Sequence, residues 1–217
     1  MLPEDTYKHK GLRKKLIEKL IEKGIQQKEV LKAMLKVPRH FFMDSAFTEH
    51  AYEDKAFGIG EGQTISQPFT VAFQTQLLKI KQNDKILEIG TGSGYQSSIL
   101  LEMGAKLYTI EYNRNLYQRA KKLLLNMGYN GHFYCGDGTK GLAAAAPYDK
   151  ILVTAGAPNI PEALISQLKP DGRLVIPVGN LKTQKMLLIS KKENGEIEEK
   201  EFGNFSFVKL LGESGWK

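Results

Sequence analysis

Three acidic side chains and one glycine-rich turn are the parts of this sequence best suited to chemistry. Residues Leu87-Glu88-Ile89-Gly90-Thr91-Gly92-Ser93-Gly94 pass from an aliphatic run into a turn with glycine at alternate positions. Where a strand turns into a helix, Gly90, Gly92 and Gly94 let backbone amides approach a ligand, with Thr91 and Ser93 in the same ligand-facing turn. A dinucleotide fingerprint reads GxGxxG over a pyrophosphate, but here Tyr95 stands where the third glycine belongs, so NAD fits poorly. Glu88, two residues before the first glycine, would repel a pyrophosphate and suits the ammonium of an amino-acid-like ligand. Glu111 and Asp137 each fall just past an expected strand end. A carboxylate at Glu111 accepts hydrogen bonds from both hydroxyls of a ribose, and Asp137 can accept from an adenine amino group while Gly138 lets the ring lie close. Singly, each acid would pass as a solvated loop residue. At successive strand ends beside the turn, they converge on S-adenosylmethionine, which carries an ammonium, a ribose and an adenine.

The elements that must position these residues follow from periodicity. Short β-branched and aliphatic runs predict strands at residues 85–89, 106–111, 131–135, 150–154 and 173–178, alternating with helical patterns, as in a parallel sheet with crossover helices. Leu116, Ala120, Leu123, Leu124 and Met127 form one helix face, opened by Asn113 and closed at Gly128. Asn159 and Pro161 open a further helix carrying Leu164, Ile165 and Leu168, which Lys169-Pro170-Asp171-Gly172 turns into the next strand. Beyond Val178, residues 186–190, the turn Lys192-Glu193-Asn194-Gly195 and further extended segments predict antiparallel strands at the C-terminal side. The fold class is therefore α/β, a doubly wound and mostly parallel sheet flanked by helices. In such a sheet ligands bind beyond the carboxyl ends of the strands, where strand order reverses.

Ahead of the sheet, residues 11–23 and 27–36 read as two helices, the first closed by Gly24 and the second stopped before Pro38. Residues 39–68 lose clear periodicity and carry Gly58, Gly60, Gly62 and Pro68. A connector of that length within a compact protein tends to be functional, and it is expected to face the substrate. One domain spans residues 1–217: a helical N-terminal extension and connector over 1–68, and an α/β ligand-binding core over 69–217.

The turn Glu88-Ile89-Gly90-Thr91-Gly92-Ser93-Gly94-Tyr95 resembles the first motif of class I methyltransferases in its protein-L-isoaspartate O-methyltransferase form. Val37-Pro38-Arg39, Ala51-Tyr52-Glu53-Asp54, Gly62-Gln63-Thr64-Ile65-Ser66-Gln67-Pro68, Pro147-Tyr148-Asp149 and Leu168-Lys169-Pro170-Asp171-Gly172-Arg173-Leu174 are similar to that family in the same order. The Gln-Thr-Ile-Ser-Gln-Pro block is the most specific, and the likeness covers residues 27 to 217. It implies a Rossmann-like methyltransferase fold and transfer of a methyl group from S-adenosylmethionine, leaving S-adenosylhomocysteine. The acceptor it implies is the α-carboxylate of an L-isoaspartyl residue in a damaged protein or peptide, whose ester closes to a succinimide and so begins repair. It also implies that Ser66 is the catalytic residue, and that Gln63, Thr64, Ile65, Ser66 and Tyr112 stand beside the cofactor. The chain departs from the family where the usual Arg-Phe-Val-Pro-Leu becomes Ser206-Phe207-Val208-Lys209-Leu210, and where Ala56-Phe57-Gly58 replaces a proline-containing stretch.

Composition narrows the alternatives. The net charge of +7 is concentrated at the start, where residues 1–40 hold eleven Lys or Arg against five acids. A nucleic-acid methyltransferase would suit that charge, but the lysines alternate with Leu12, Leu16, Leu20 and Ile21 at helical spacing, as on the wet face of an amphipathic helix. No Asp or Asn precedes Pro-Pro and an aromatic, and no proline precedes Cys135, so the motifs for methylating a base are missing. The remaining alternative is a non-catalytic adenosine-ligand-binding protein on the same fold. Cys135, the lone cysteine, reads as a packed strand residue in a reducing compartment. His9, His40, His50 and His132 lack metal-ligand spacing, and no metal is expected. Asp149, at a strand start, reads as a turn or salt-bridge residue. The acidic start Glu4-Asp5 and the lack of a long apolar run lead us to expect a cytoplasmic protein with no membrane partner, and we further expect a monomer without a nucleic-acid partner.

Overall fold

The computed structural model describes residues 2–217. Helix α1 (Tyr7–Glu22) starts at Thr6, whose hydroxyl accepts the N–H of His9 at 3.3 Å, and buries Leu16 and Leu20 while Ile21 stays exposed. Helix α2 (Lys28–Lys36) buries Val30, Ala33 and Met34. The connector then forms two 3-10 turns, Arg39–Phe42 and Ser45–His50, and an antiparallel hairpin of β1 (Phe57–Gly60) and β2 (Gln63–Ile65). The stretch that lacks periodicity is thus ordered.

Helix α3 (Pro68–Leu78) places proline in its first turn, where a missing N–H costs nothing. The sheet then begins with β3 (Lys85–Ile89), α4 (Tyr95–Glu102), β4 (Lys106–Glu111), α5 (Arg114–Asn126) and β5 (His132–Cys135). It continues through β6 (Tyr148–Val153), the short α6 (Glu162–Ser166), β7 (Leu168–Gly179), β8 (Gln184–Lys191) and β9 (Ile197–Phe205). The seven-stranded order is β5-β4-β3-β6-β7-β8-β9, parallel through β7 and antiparallel in the last two strands. The chain runs outward from β3 through β4 to β5 and then returns to β6 on the other side of β3. Strand order therefore reverses beside the glycine turn, as expected.

Local chemistry accounts for the remaining boundaries. Asn113 caps α5 through its side-chain oxygen, which accepts from Asn115 N at 2.9 Å and Leu116 N at 3.1 Å. The turn predicted at residues 169–172 is folded into β7 as a bulge, because Tyr148 pairs with Leu168 and Lys150 already pairs with Arg173, with Asp171 at φ 58°. Alternation along the strands divides the core: Leu87 and Ile89 pack on one face with Ile151 and Leu174, Ile86 on the other with Leu78, Leu100 and Leu107. A third cluster joins α1 and α2 to α4 and α5 through Leu16, Leu20, Ile99 and Leu124. Cys135 is exposed rather than packed, since β5 is an edge strand. No helix among the described residues is long and apolar enough to cross a membrane.

Candidate functional site

Register sets the site. Ile89 lies level with both Ile110 and Val153, so Gly90, Glu111 and Thr154 leave their strands side by side. A cavity of about 380 Å³ opens there, beyond the carboxyl ends of β3, β4 and β6. Gly90 has φ 96°, and a Cβ on it would meet the Thr154 hydroxyl at 2.4 Å, so glycine is required twice over at the cavity floor. Glu111 is nearly buried, and each of its oxygens takes one backbone N–H, from Gly92 and from Asn113, both at 2.8 Å. Remaining lone pairs leave it able to accept from a diol.

The structure brings most of the expected residues to this cavity. Its wall includes Gln63, Thr64, Ile65 and Ser66 from the hairpin and the segment after it, Gly90, Thr91, Gly92 and Ser93 from the turn, and Glu111, Tyr112 and Gly138. A Cβ on Gly138 would strike Ile89 Cγ2 at 2.4 Å, so its glycine serves strand packing as well as access to the cavity. Ser66 and Thr64 also line a second groove, with Phe69, Phe205 and Phe207, so they stand where cavity and groove meet. Among the described residues none bonds to the Ser66 hydroxyl, which is free to meet a ligand.

Three expected residues stand off the wall. Glu88 shares its sheet face with Ile86, beneath α4, and is wholly buried. One of its oxygens accepts from Ser97 Oγ and, at 2.7 Å, from Thr109 Oγ1, while the other is buried without a partner. Burial, aided by the charge of Glu111, outweighs those hydrogen bonds and pushes the Glu88 carboxyl up to about 7. Its reach is indirect: Thr109 shares a 2.6 Å hydrogen bond with Thr91, which does line the cavity. Gly94 starts α4 behind the turn, against Leu124. Asp137 turns toward the C-terminal tail, accepting Thr139 N at 2.9 Å, Thr139 Oγ1 at 2.6 Å and Glu213 N at 2.8 Å. Burial opposes ionisation there, but these hydrogen bonds prevail and hold the carboxyl below its ordinary range.

Other wall residues escaped the sequence reading. Thr154 stands one position past β6, the same signal that marked Glu111, and donates to Gly90 O at 2.6 Å. Glu61, at the hairpin tip with φ 54°, accepts from Asn113 Nδ2 and Asn115 Nδ2, each at 3.1 Å. Gln74, on α3, donates to Val153 O at 3.0 Å. Lys209 and Leu210 arrive from the tail, in the segment the sequence already marks as departing from the family pattern.

The segment carrying Ser66 is held from outside the cavity. Asp54 accepts the Phe69 N–H at 2.7 Å, Gln67 Nε2 at 3.2 Å and Lys23 Nζ at 2.6 Å, and so caps α3 from the connector. Arg39 is fully buried, with its guanidinium over the Tyr95 ring and Nε donating to Ala51 O at 3.0 Å. Asp149 accepts from Lys85 N and Lys169 Nζ, both at 2.8 Å, a structural role as expected. Asp5, His9 and His40 cluster with potential ligand atoms within 4.8 Å. Asp5 is engaged by Arg13, His40 by Tyr52 OH and Glu4 O, and His9 Nδ1 by Glu4 O.

Comparison with known proteins places these features among relatives. The family model described as Protein-L-isoaspartate(D-aspartate) O-methyltransferase matches residues 11–215. The chain is 60% identical to protein-L-isoaspartate O-methyltransferase of Cytophaga hutchinsonii over 98% of this chain and 96% of that one. To the enzyme of the same name from Christiangramia forsetii it is 54% identical, over 96% and 98%. A solved structure of a protein-L-isoaspartate O-methyltransferase superposes with TM-score 0.84 at 30% identity, covering 94% of this chain and 67% of that one. A Plasmodium falciparum protein solved in complex with S-adenosyl-L-homocysteine shares the fold, with TM-score 0.79 at 24% identity over 92% and 98%.

Proposed function

The chain belongs to the protein-L-isoaspartate(D-aspartate) O-methyltransferase family, and from that footing we propose how its cavity performs the reaction. The enzyme methylates isoaspartyl residues of proteins with S-adenosylmethionine as donor. In our reading the acceptor is the α-carboxylate, and the ester then closes to a succinimide. The residues present suit the donor: Glu111 keeps lone pairs for a ribose diol, Gly90 and Gly92 form an open cradle, and Ile89, Ile110 and Leu210 supply apolar wall. When bound, S-adenosylmethionine supplies an electrophilic methyl group on a positive sulfur.

One observation carries the assignment of roles, namely that Thr64 and Ser66 belong both to the cavity and to the neighbouring groove. A peptide in that groove would present its carboxylate to the cavity at Ser66. The carboxylate is ionised at neutral pH and needs no base to activate it. Ser66 has only to fix its direction by donating a hydrogen bond, and such alignment is worth up to about 7 to 11 kcal/mol in well-oriented systems. Gln63, Thr64, Ile65 and Tyr112 stand beside the donor on the cavity wall. Glu88 acts through Thr109 and Thr91 and Asp137 through the tail, so both support the site from behind its wall. In the same reading residues 1–68 serve the substrate side and 69–217 the cofactor side of one domain.

The enzyme is further proposed to work as a cytoplasmic monomer without a nucleic-acid partner. Against a nucleic-acid partner, part of the basic start of the chain is engaged within the protein, where Lys8, Arg13, Lys23 and Lys36 pair with Glu49, Asp5, Asp54 and Glu102. Labelled methyl transfer to an isoaspartyl peptide, its aspartyl isomer and bulk tRNA tests the whole reading. Label should enter the isoaspartyl peptide alone; label on tRNA, or cofactor binding without transfer to anything, overturns it.

A further inference from the structure

Two cations stand on the cavity wall, Arg114 and Lys209, against two acids, Glu61 and Glu111. Arg114 opens α5 next to Asn113, on the side of the wall where Glu111 is bound. Lys209 follows Val208, which lines both the cavity and the groove together with Thr64 and Ser66. We propose that Lys209 is a substrate-binding residue that receives the isoaspartyl α-carboxylate and distinguishes it from the neutral methyl ester; the inference rests on the reading of the cavity given above.

The backbone at Lys209 is fixed while its side chain is free. Gly156 N donates to Val208 O at 2.8 Å, and Leu210 N donates to Gly156 O at 2.9 Å, pinning the residues on either side. Trp216 closes the segment, its N donating to Leu210 O at 2.8 Å and its Nε1 to Gly156 O at 2.9 Å. The Lys209 side chain is exposed at the cavity rim, and among the described residues it has neither an ion-pair nor a hydrogen-bond partner. It is the one lysine on that wall among the described residues. An unpaired ammonium on a wall that also presents Glu61 and Glu111 offsets the repulsion an incoming carboxylate would meet.

The chemistry gives this residue a defined signature. During transfer a carboxylate oxygen forms the new bond to the methyl carbon while the carbon–sulfur bond breaks with its electron pair going to sulfur, so the carboxylate loses its charge. A lysine paired with it therefore favours the bound substrate at least as much as the transition state, and should lower KM without raising kcat. The ester product has no charge to pair, which speeds its departure.

The test measures a fluorescein-labelled isoaspartyl peptide and its methyl ester by anisotropy on enzyme loaded with S-adenosylhomocysteine, beside steady-state transfer and calorimetry of S-adenosylhomocysteine. Wild type should bind the acid more tightly than the ester by about three- to tenfold, as for a partly exposed ion pair. Lys209→Met should erase that preference and raise KM by the same factor with kcat unchanged, while Lys209→Arg keeps both. Salt should raise KM for wild type more than for Lys209→Met. Unaltered peptide preference in Lys209→Met overturns the assignment, as does weakened S-adenosylhomocysteine binding with KM for the peptide unchanged. Wild-type enzyme that transfers no methyl to the isoaspartyl peptide overturns the reading of the site itself.

Discussion

Glu61 accepts a hydrogen bond from the side chain of Asn113 at 3.1 Å, tying the tip of the β1–β2 hairpin to the start of α5, and both residues line the cavity. Asn115 gives Glu61 a second bond of the same length, and Arg119 donates to Ile59 O in the same hairpin. The hairpin carrying Gln63, Thr64 and Ile65 is therefore latched to the element that follows Glu111.

Removing the latch should loosen the cofactor. Glu61→Ala deletes two exposed hydrogen bonds to a charged group, so S-adenosylhomocysteine should dissociate faster by about three- to tenfold with little loss of fold stability. Stopped-flow displacement measures it. An unchanged off-rate would mean that the hairpin does not gate the cavity.

Glu88 should make stability depend on pH in an unusual direction. Its carboxyl is pushed up from 4.5 to about 7, so between those values the folded protein holds a proton that the unfolded chain has released. Stability then falls as pH rises through that window, by on the order of 3 kcal/mol in full above it. Glu88→Gln keeps an acceptor for Ser97 and Thr109 and removes the charge. Relative to wild type its Tm should be higher by about 5 to 10 °C at pH 8 than it is at pH 5. The readout is the change in that difference, because an amide nitrogen in place of the unpartnered oxygen costs the same at every pH. A difference that does not vary with pH would show that the buried group is not titrating.

The contrast between Glu88 and Glu111 shows what was legible in the sequence. Strands and crossover helices follow from local periodicity, and Glu111, the acid that ends β4, does reach the cavity. Its position before the turn puts Glu88 within reach of the ligand, but period-two alternation sends its side chain under α4, and only knowing which face α4 covers settles that. The placement of the hairpin over the cavity is not legible in the connector, because the bonds that hold it there come from Asn113, Asn115 and Arg119, more than fifty residues away. Helix α6 is shorter than expected because Leu168 already pairs with Tyr148 as β7 begins. The exposure of Cys135 depends on β5 being an edge, which its own four residues do not encode.

Asp54 should matter to turnover although it stands off the cavity wall. It caps α3 at Phe69 and holds Gln67, the neighbour of Ser66, so Asp54→Ala should cost about 1 to 3 kcal/mol and lower kcat more than it raises KM. Urea unfolding and steady-state transfer measure the two effects. Loss of stability with full kcat at permissive temperature would deny it a role in holding Ser66.

Asp137 provides the sharpest separation between a ligand contact and a structural tie. Its two oxygens are engaged by Thr139 and by the backbone N–H of Glu213, and this tie holds the middle of the tail between the Gly156 contacts of Leu210 and Trp216. Asp137→Ala should therefore free the tail, costing about 2 to 3 kcal/mol for hydrogen bonds to a charged group, and raise the peptide KM through displacement of Lys209 and Leu210. Gly212→Ala supplies an independent route to the same state. Gly212 has φ 143°, and a Cβ on it would meet Asp137 Oδ1 at 2.1 Å, so the substitution pushes the tail away while leaving the carboxylate in place. If Asp137 works through the tail, both variants should raise the peptide KM by similar factors and change S-adenosylhomocysteine affinity little. If Asp137 instead binds adenine, Asp137→Ala should weaken S-adenosylhomocysteine binding while Gly212→Ala leaves it intact, and calorimetry on the two variants decides between them.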